Sequence, residues 1–324
     1  MSLNHAEASP LGLRRALAVV RQREKWFAGA CIVAVLATAS VPDAHARDPV
    51  QLSVLSYNIH GLPDAIAKAD REKWMPSIAR QSCRFNIVLI QEDFAYHEVL
   101  KKNAACHNQA FRGPGEGTTG GSQAMGFGVG NLSKLLTKGK LFGSGLTVFV
   151  SHKVTRNKGL LYGACEGYMS NQQDCFADKG VQLVTVRLDR GLVIDFYNTH
   201  LDSGASGADK SARAQQLNKL AAFIEANSRN RAVVVAGDFN LNWRAPESRR
   251  MLEGFISRLG LTRVAEAVDP KRPIDHILYR NGSRVALGVA NAGVAEGFVS
   301  GGQAVSDHIP VTVTFAVSLI SRAR

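Results

Sequence analysis

Two hydrophobic periods alternate along this chain. Short apolar runs of strand length recur at Val50–Ile59, Asn86–Gln91, Gly145–Val150, Val181–Leu188, Leu192–Thr199, Ala232–Ala236, Ile274–Tyr279, Val285–Val289 and Ile309–Phe315. They are rich in β-branched residues and bounded by Gly, Asn, Asp or Pro, which predicts strands. In Ile87-Val88-Leu89-Ile90 the apolar residues are continuous, the pattern of a strand buried on both faces where sheets pack under helices. Between these runs, Ser211–Asn227 places Leu217, Leu220, Ala221 and Ile224 at helical spacing, with Arg213, Gln216 and Lys219 elsewhere around the turn. Pro246–Leu259 reads as a second helix with proline at its first position. Asp70–Gln81 is a third, in which Pro76 predicts a break or a late start. Gly113–Gly130 holds eight glycines, has no period and reads as a surface loop.

Composition narrows the class. The 324 residues are 45% hydrophobic and 20% charged, enough apolar material for a large core and unlike collagenous, coiled-coil or polytopic membrane chains. With 39 Lys+Arg against 27 Asp+Glu the formal charge is +12, which favours anionic partners. At the N-terminus, Arg14, Arg15, Arg21, Arg23 and Lys25 precede a 14-residue apolar run, Trp26–Ala39, and then Ala44-His45-Ala46. Basic, apolar and A-x-A regions in that order read as a secretory signal peptide over residues 1–46, with one domain over 47–324 and a secreted or periplasmic location. Cleavage after Ala46 would leave 278 residues and about +10 charge, since five basic and three acidic residues lie in the leader. It would also remove Cys31 and leave an even set, Cys83, Cys106, Cys165 and Cys175, as an oxidising compartment favours. Three pairings are open; the favoured one, Cys83–Cys106 with Cys165–Cys175, closes two irregular excursions.

The informative polar residues sit at the ends of the apolar runs. Asn58 ends the first, Gln91-Glu92-Asp93 the second, Asn198-Thr199-His200 another and Gly237-Asp238-Phe239-Asn240 the next. Asp275-His276 and Ser306-Asp307-His308 open two more. A single strand-end Asp or Asn is ordinarily a turn residue. Converging ends would gather Glu92, Asp238, Asp275, Asp307, His200 and His308 in one cleft. Carboxylate and amide oxygens suit Mg²⁺ or Mn²⁺, and histidines suit proton transfer near neutral pH.

In this order, Ser-Tyr-Asn58-Ile, Leu-Ile-Gln91-Glu92, Tyr-Asn-Thr-His200-Leu, Gly-Asp238-Phe-Asn240, Ile-Asp275-His-Ile and Ser-Asp307-His308 resemble the endonuclease/exonuclease/phosphatase superfamily, nearest its secreted bacterial sphingomyelinase-like branch. The resemblance runs from about Leu52 to Val313. It implies an α/β (α+β) fold, a four-layer sandwich of two packed mixed β-sheets flanked by helices, with the cleft where strand ends meet. It also implies that Glu92 is the main Mg²⁺ ligand, supported by Asn58 and Asp307. Asp238 and Asn240 would orient water and phosphate, His308 would pair with Asp275, and His200 would flank the phosphate.

That chemistry serves any phosphodiester, so the substrate stays open between a phospholipid headgroup and nucleic acid. A non-catalytic effector binding a phosphorylated ligand is the alternative from another class. Peripheral membrane contact and a monomer are expected. The aromatic hairpin by which the sphingomyelinase branch enters membranes has only Phe298 to offer in Asn281–Gln303. Trp243, Arg244 and the Gly113–Gly130 loop are candidate substrate contacts.

Overall fold

The computed structural model describes residues 48–67, 70–115, 142–167 and 174–320, within a unit that runs from Arg47 to Arg324. The predicted leader and residues 116–130 of the glycine-rich segment lie outside them. Two six-stranded mixed sheets form the centre; apart from them, β12 (Val299–Ser300) pairs with β13 (Gln303–Ala304), and Asp64–Ala67 forms the short helix α1. The first contains β1 (Val50–Asn58), β2 (Ile87–Gln91), β3 (Gln109–Arg112), β4 (Thr147–Val150), β11 (Val285–Val294) and β14 (Val311–Leu319), in the order β11-β14-β1-β2-β4-β3. The second contains β5 (Lys153–Leu161), β6 (Gly180–Arg187), β7 (Val193–His200), β8 (Ala232–Asp238), β9 (Thr262–Arg263) and β10 (Asp275–Arg280), in the order β5-β6-β7-β8-β10-β9. β1 pairs in parallel with β2, and β7 with β8; the remaining pairs in both sheets are antiparallel.

Alternation explains the layers. One set of side chains, among them Leu52, Val54, Leu89, Val184, Phe196, Val234, Ile277 and Phe315, fills the space between the sheets. The alternate set faces outward beneath helices. Leu55, Tyr57, Val88 and Ile90 meet α2 (Met75–Ser82) and α3 (His97–Asn103). Tyr197, Val233 and Val235 meet α4 (Gly207–Asn227) and α5 (Pro246–Leu259). Strands covered on both faces need continuous apolar runs, each large side chain contributing roughly 1.5–3 kcal/mol on burial. The four-layer sandwich is therefore observed.

Departures from the pattern have local causes. α4 begins at Gly207 because Ser206 and Asp209 form a capping box. Arg213 and Gln216, assigned away from its apolar face, are buried; Arg213 donates to the carbonyls of Asp202, Ser203 and Gly204. Pro76 lies in the first turn of α2, where no amide donor is needed, after a 3₁₀ turn at Glu72–Trp74. β5 escaped the pattern because it is an exposed edge carrying Lys153, Arg156 and Lys158. Cys83–Cys106 and Cys165–Cys175 are both bridged. Among the described residues, no helix is long and apolar enough to cross a membrane.

Candidate active site

Register gathers the polar strand ends. Asn58 pairs with Gln91 across β1–β2, His200 with Asp238 across β7–β8, and Asp238 with Asp275 across β8–β10. Polar groups also join the two sheets. Gln91 Nε2 donates to Asn198 Oδ1 at 2.7 Å, and Asn198 Nδ2 donates to the Ile90 carbonyl at 2.8 Å. Gln91 and Asn198 thus tie the sheets together beneath the cleft. Asn58 Nδ2 bridges Glu92 Oε1 at 2.9 Å and Asp238 Oδ2 at 3.2 Å, while its Oδ1 accepts from the His60 amide.

Asp238 is the centre. Its Oδ2 lies 3.5 Å from His308 Nε2 and 3.6 Å from His200 Nε2; its Oδ1 accepts from the Asn240 amide at 2.9 Å. Asn240 has a left-handed backbone (φ 49) and donates its side-chain amide to the Leu201 carbonyl, so it shapes the turn that presents Asp238. Burial, then the Asp275 charge, pushes Asp238 up to about 6, against the opposing pull of His308. His308 Nδ1 lies 2.8 Å from Asp275 Oδ2. Burial would lower its pKa, but the Asp275 and Asp238 carboxylates prevail and raise it to about 9. Burial also raises Asp275 itself, and its Oδ1 has no hydrogen-bond partner among the described residues.

The other flank reverses this. Burial and the positive charges of Lys179 and His308 hold His200 well below the usual histidine range. Lys179 Nζ lies 3.1 Å from His200 Nε2, 3.2 Å from the Leu201 carbonyl and 2.8 Å from Asp174 Oδ1. An ammonium only donates, so His200 Nε2 accepts. Asp174 in turn accepts from the Ser203 amide and hydroxyl.

Asp307 lies at the open edge, 51% exposed, with Oδ1 3.1 Å from His60 Nδ1 and Oδ2 3.3 Å from Arg272 Nη2. Burial opposes ionisation there, but the His60 hydrogen bond and the charges of His308, His60 and Arg272 hold the carboxyl well below the usual range. His60, Lys179 and Arg272 were missed by sequence reasoning. Lys179 had a faint signal, as a lone cation directly before the apolar run of β6; His60 and Arg272 had none beyond their nearness to Asn58 and Asp275. Trp243 is not an open contact surface, because the Arg249 and Arg263 guanidiniums stack on it at 4.9 and 4.0 Å. His276 turns away, donating from Nε2 to the Leu241 carbonyl at 2.8 Å, and is fully buried. Phe298 is buried edge-on against Tyr57, centroids 5.0 Å apart, which leaves the 281–303 segment without an aromatic tip.

The donor set suits a hard divalent cation. Glu92, Asn58 and Asp307 offer oxygen ligands, and Asp238, Asp275 and His308 bring three further ligand atoms within 4.8 Å of one another. The upward shift of Asp238 marks a buried carboxylate short of positive charge, a shortage a nearby dication would relieve.

The Endonuclease/Exonuclease/phosphatase family model matches residues 55–308. The sphingomyelinase of Mycobacterium tuberculosis is 30% identical over 283 residues, covering 81% of this chain and 52% of that protein; the Mycobacterium bovis sphingomyelinase matches to the same extent. The chain thus spans about half the length of the curated relatives it matches. Staphylococcus aureus beta toxin superposes with a TM-score of 0.60 at 15% identity, covering 82% of this chain and 100% of that one. Sphingomyelinase C from Streptomyces griseocarneus superposes at 0.58 and 18% identity, covering 82% and 99%. Both structures share the fold.

Proposed function

The chain belongs to the endonuclease/exonuclease/phosphatase family, and from that premise we propose that it is an exported, Mg²⁺-dependent phosphodiesterase acting on choline phospholipids in the sphingomyelinase manner. The observation that carries this reading is the Asp238 carboxylate set between His308 and His200, with Glu92 and Asn58 beside it. Similarity to the mycobacterial sphingomyelinases supports the lipid substrate, and a beta toxin structure with bound magnesium ions supports the metal. Two disulfides support export.

Glu92 would hold the cation, with Asn58 and Asp307 in support. The cation would neutralise charge on the phosphate oxygens. Asp238, ionised above about 6, accepts a proton as water adds to phosphorus. His308, protonated below about 9, gives its proton to the leaving oxygen as the ester P–O bond breaks. Asp275 holds the His308 ring, and the 3.5 Å between His308 and Asp238 lets the proton return.

The test is release of phosphocholine from sphingomyelin in mixed micelles, set beside nicking of supercoiled plasmid, each with and without EDTA. Phosphocholine release abolished by EDTA is expected. Plasmid nicking without phosphocholine would replace the lipid with nucleic acid, the substrate the +12 charge would suit. Neither product would leave a binding protein, and full activity in chelator would remove the metal. With Phe298 buried, turnover is expected to be better on detergent-dispersed lipid than on intact bilayers.

A further inference from the structure

Glu92 occupies a backbone conformation that a glutamate rarely adopts. Along β2, Leu89 faces the space between the sheets, Ile90 faces the outer layer, and Gln91 faces Asn198 of the second sheet. Continued alternation would turn Glu92 outward, like Ile90. Its φ of 58 breaks the alternation and presents the carboxylate to Asn58 Nδ2 at 2.9 Å. A left-handed residue with a side chain is strained and persists only where its surroundings over-determine it.

The surroundings point to Asp93. Its carboxylate is buried; Oδ2 lies 2.6 Å from His97 Nδ1 on α3, accepts from Thr147 Oγ1 on β4 at 2.7 Å and stands 3.8 Å from Arg112 Nη1 on β3. Its amide donates to the Gly145 carbonyl at 2.9 Å. On the other side, the Glu92 carbonyl accepts from the Gly61 and Phe94 amides at 2.9 and 3.0 Å. A Cβ at Gly61 would stand 2.6 Å from that carbonyl. Three elements therefore grip the residue after Glu92, and a glycine permits the close approach before it.

We propose that Asp93 is a positioning residue for the metal carboxylate: clamped by His97, Thr147 and Arg112, it holds Glu92 in the left-handed turn that aims its carboxylate into the cleft. This rests on the assignment of Glu92 to the cation. Asp93 contacts neither cation nor substrate, so its loss should weaken metal binding and leave the chemistry intact once metal saturates. Comparable supporting partners change metal affinity by about 10–100-fold.

The experiment is calorimetric titration of Mg²⁺ into the wild-type chain and into Glu92→Gln, Asp93→Ala, Thr147→Val and Thr147→Ser, with thermal melts of each. Asp93→Ala and Thr147→Val are expected to bind Mg²⁺ about 10–100-fold more weakly, with kcat recovering at high Mg²⁺. Thr147→Ser, which keeps the hydroxyl, is expected to bind as wild type does. Should Asp93→Ala fail to fold, Thr147→Val carries the same reading. Binding lost in Glu92→Gln but unchanged in Asp93→Ala and Thr147→Val would overturn this inference alone. Absence of Mg²⁺ binding by the wild-type chain would overturn it together with the metal assignment.

Discussion

Two histidines lie on opposite flanks of one carboxylate and differ in charge, one protonated and one neutral. His308 and His200 are both buried, with Nε2 atoms 3.5 and 3.6 Å from the same Asp238 oxygen. His308 has Asp275 at its other nitrogen and is raised to about 9. His200 has the Lys179 ammonium against Nε2, a buried Nδ1 with no hydrogen-bond partner among the described residues, and a pKa held well below the usual range. Distance to the central group is nearly the same, so the difference comes from the second partner each ring meets, Asp275 or Lys179. Burial works against a proton on both rings; the Asp275 carboxylate overcomes it at His308, and the Lys179 ammonium adds to it at His200. The first flank has the chemistry that proton transfer needs, and the second holds a neutral ring.

Removing each ring's support should break this contrast. The largest effect belongs to His308→Ala, expected to lower kcat by about 10²–10⁴-fold with little change in KM; a loss under tenfold would take His308 out of the reaction. Next comes the pH profile. Activity should fall through about 9 as His308 loses its proton. Its acid limb, set by Asp238, should lie below the metal-free value of about 6, because a bound dication favours the ionised carboxylate. Asp275→Asn removes the charge behind His308 and should move the alkaline limb down by about 1–3 pH units, and added Mg²⁺ should move the acid limb down. An alkaline limb that stays put in Asp275→Asn would assign it to another group.

Stability offers a third view of the same ring. His308 has a folded pKa of about 9 against about 6.5 unfolded. It therefore contributes roughly 3 kcal/mol that is fully present below pH 6.5 and lost as pH rises through 9. The melting temperature of the metal-free protein should fall over that window, and His308→Gln should flatten the fall. The smallest effect concerns His200. Breaking only one partner of the buried Lys179–Asp174 pair would cost about 3–5 kcal/mol, so the useful variant is Lys179→Met with Asp174→Asn. In it the His200 pKa, followed by NMR, should rise yet stay below 6.5, since burial is the largest cause of its depression. No rise at all would show that burial and the His308 charge keep the ring neutral without Lys179.

Much of the fold was legible because β-branched runs bounded by turn residues carry their own signal. β2 and β8 could be read from Ile87–Ile90 and Val233–Ala236, each covered on both faces. β5 could not, because an exposed edge strand with Lys153, Arg156 and Lys158 has no apolar period. Within the site, Asp238, Asp275 and His308 were legible as polar residues stranded beside apolar runs. His60 and Arg272 were not: they sit in loops, and only folding brings them to Asp307. Arg213 misled for the opposite reason. A helical wheel assigns a charged residue to solvent, whereas here three carbonyls at the turn before α4 receive its guanidinium.

The pattern of residues by itself determined that this chain forms buried strands under helices, and that six polar clusters stand at strand ends. Those are local properties, set by side-chain alternation and turn chemistry within a few residues. Tertiary structure alone decided which ends meet, because the pairing of Asn58 with Gln91, His200 with Asp238 and Asp238 with Asp275 is a matter of register between distant segments. It also decided what each titratable group does. Histidine brings the same pKa to every position, and only the neighbours that folding supplies, Asp275 behind His308 and Lys179 against His200, set the two rings apart. Charge in a buried site depends on desolvation and on partners a few ångströms away, and neither is written in the spacing of the chain.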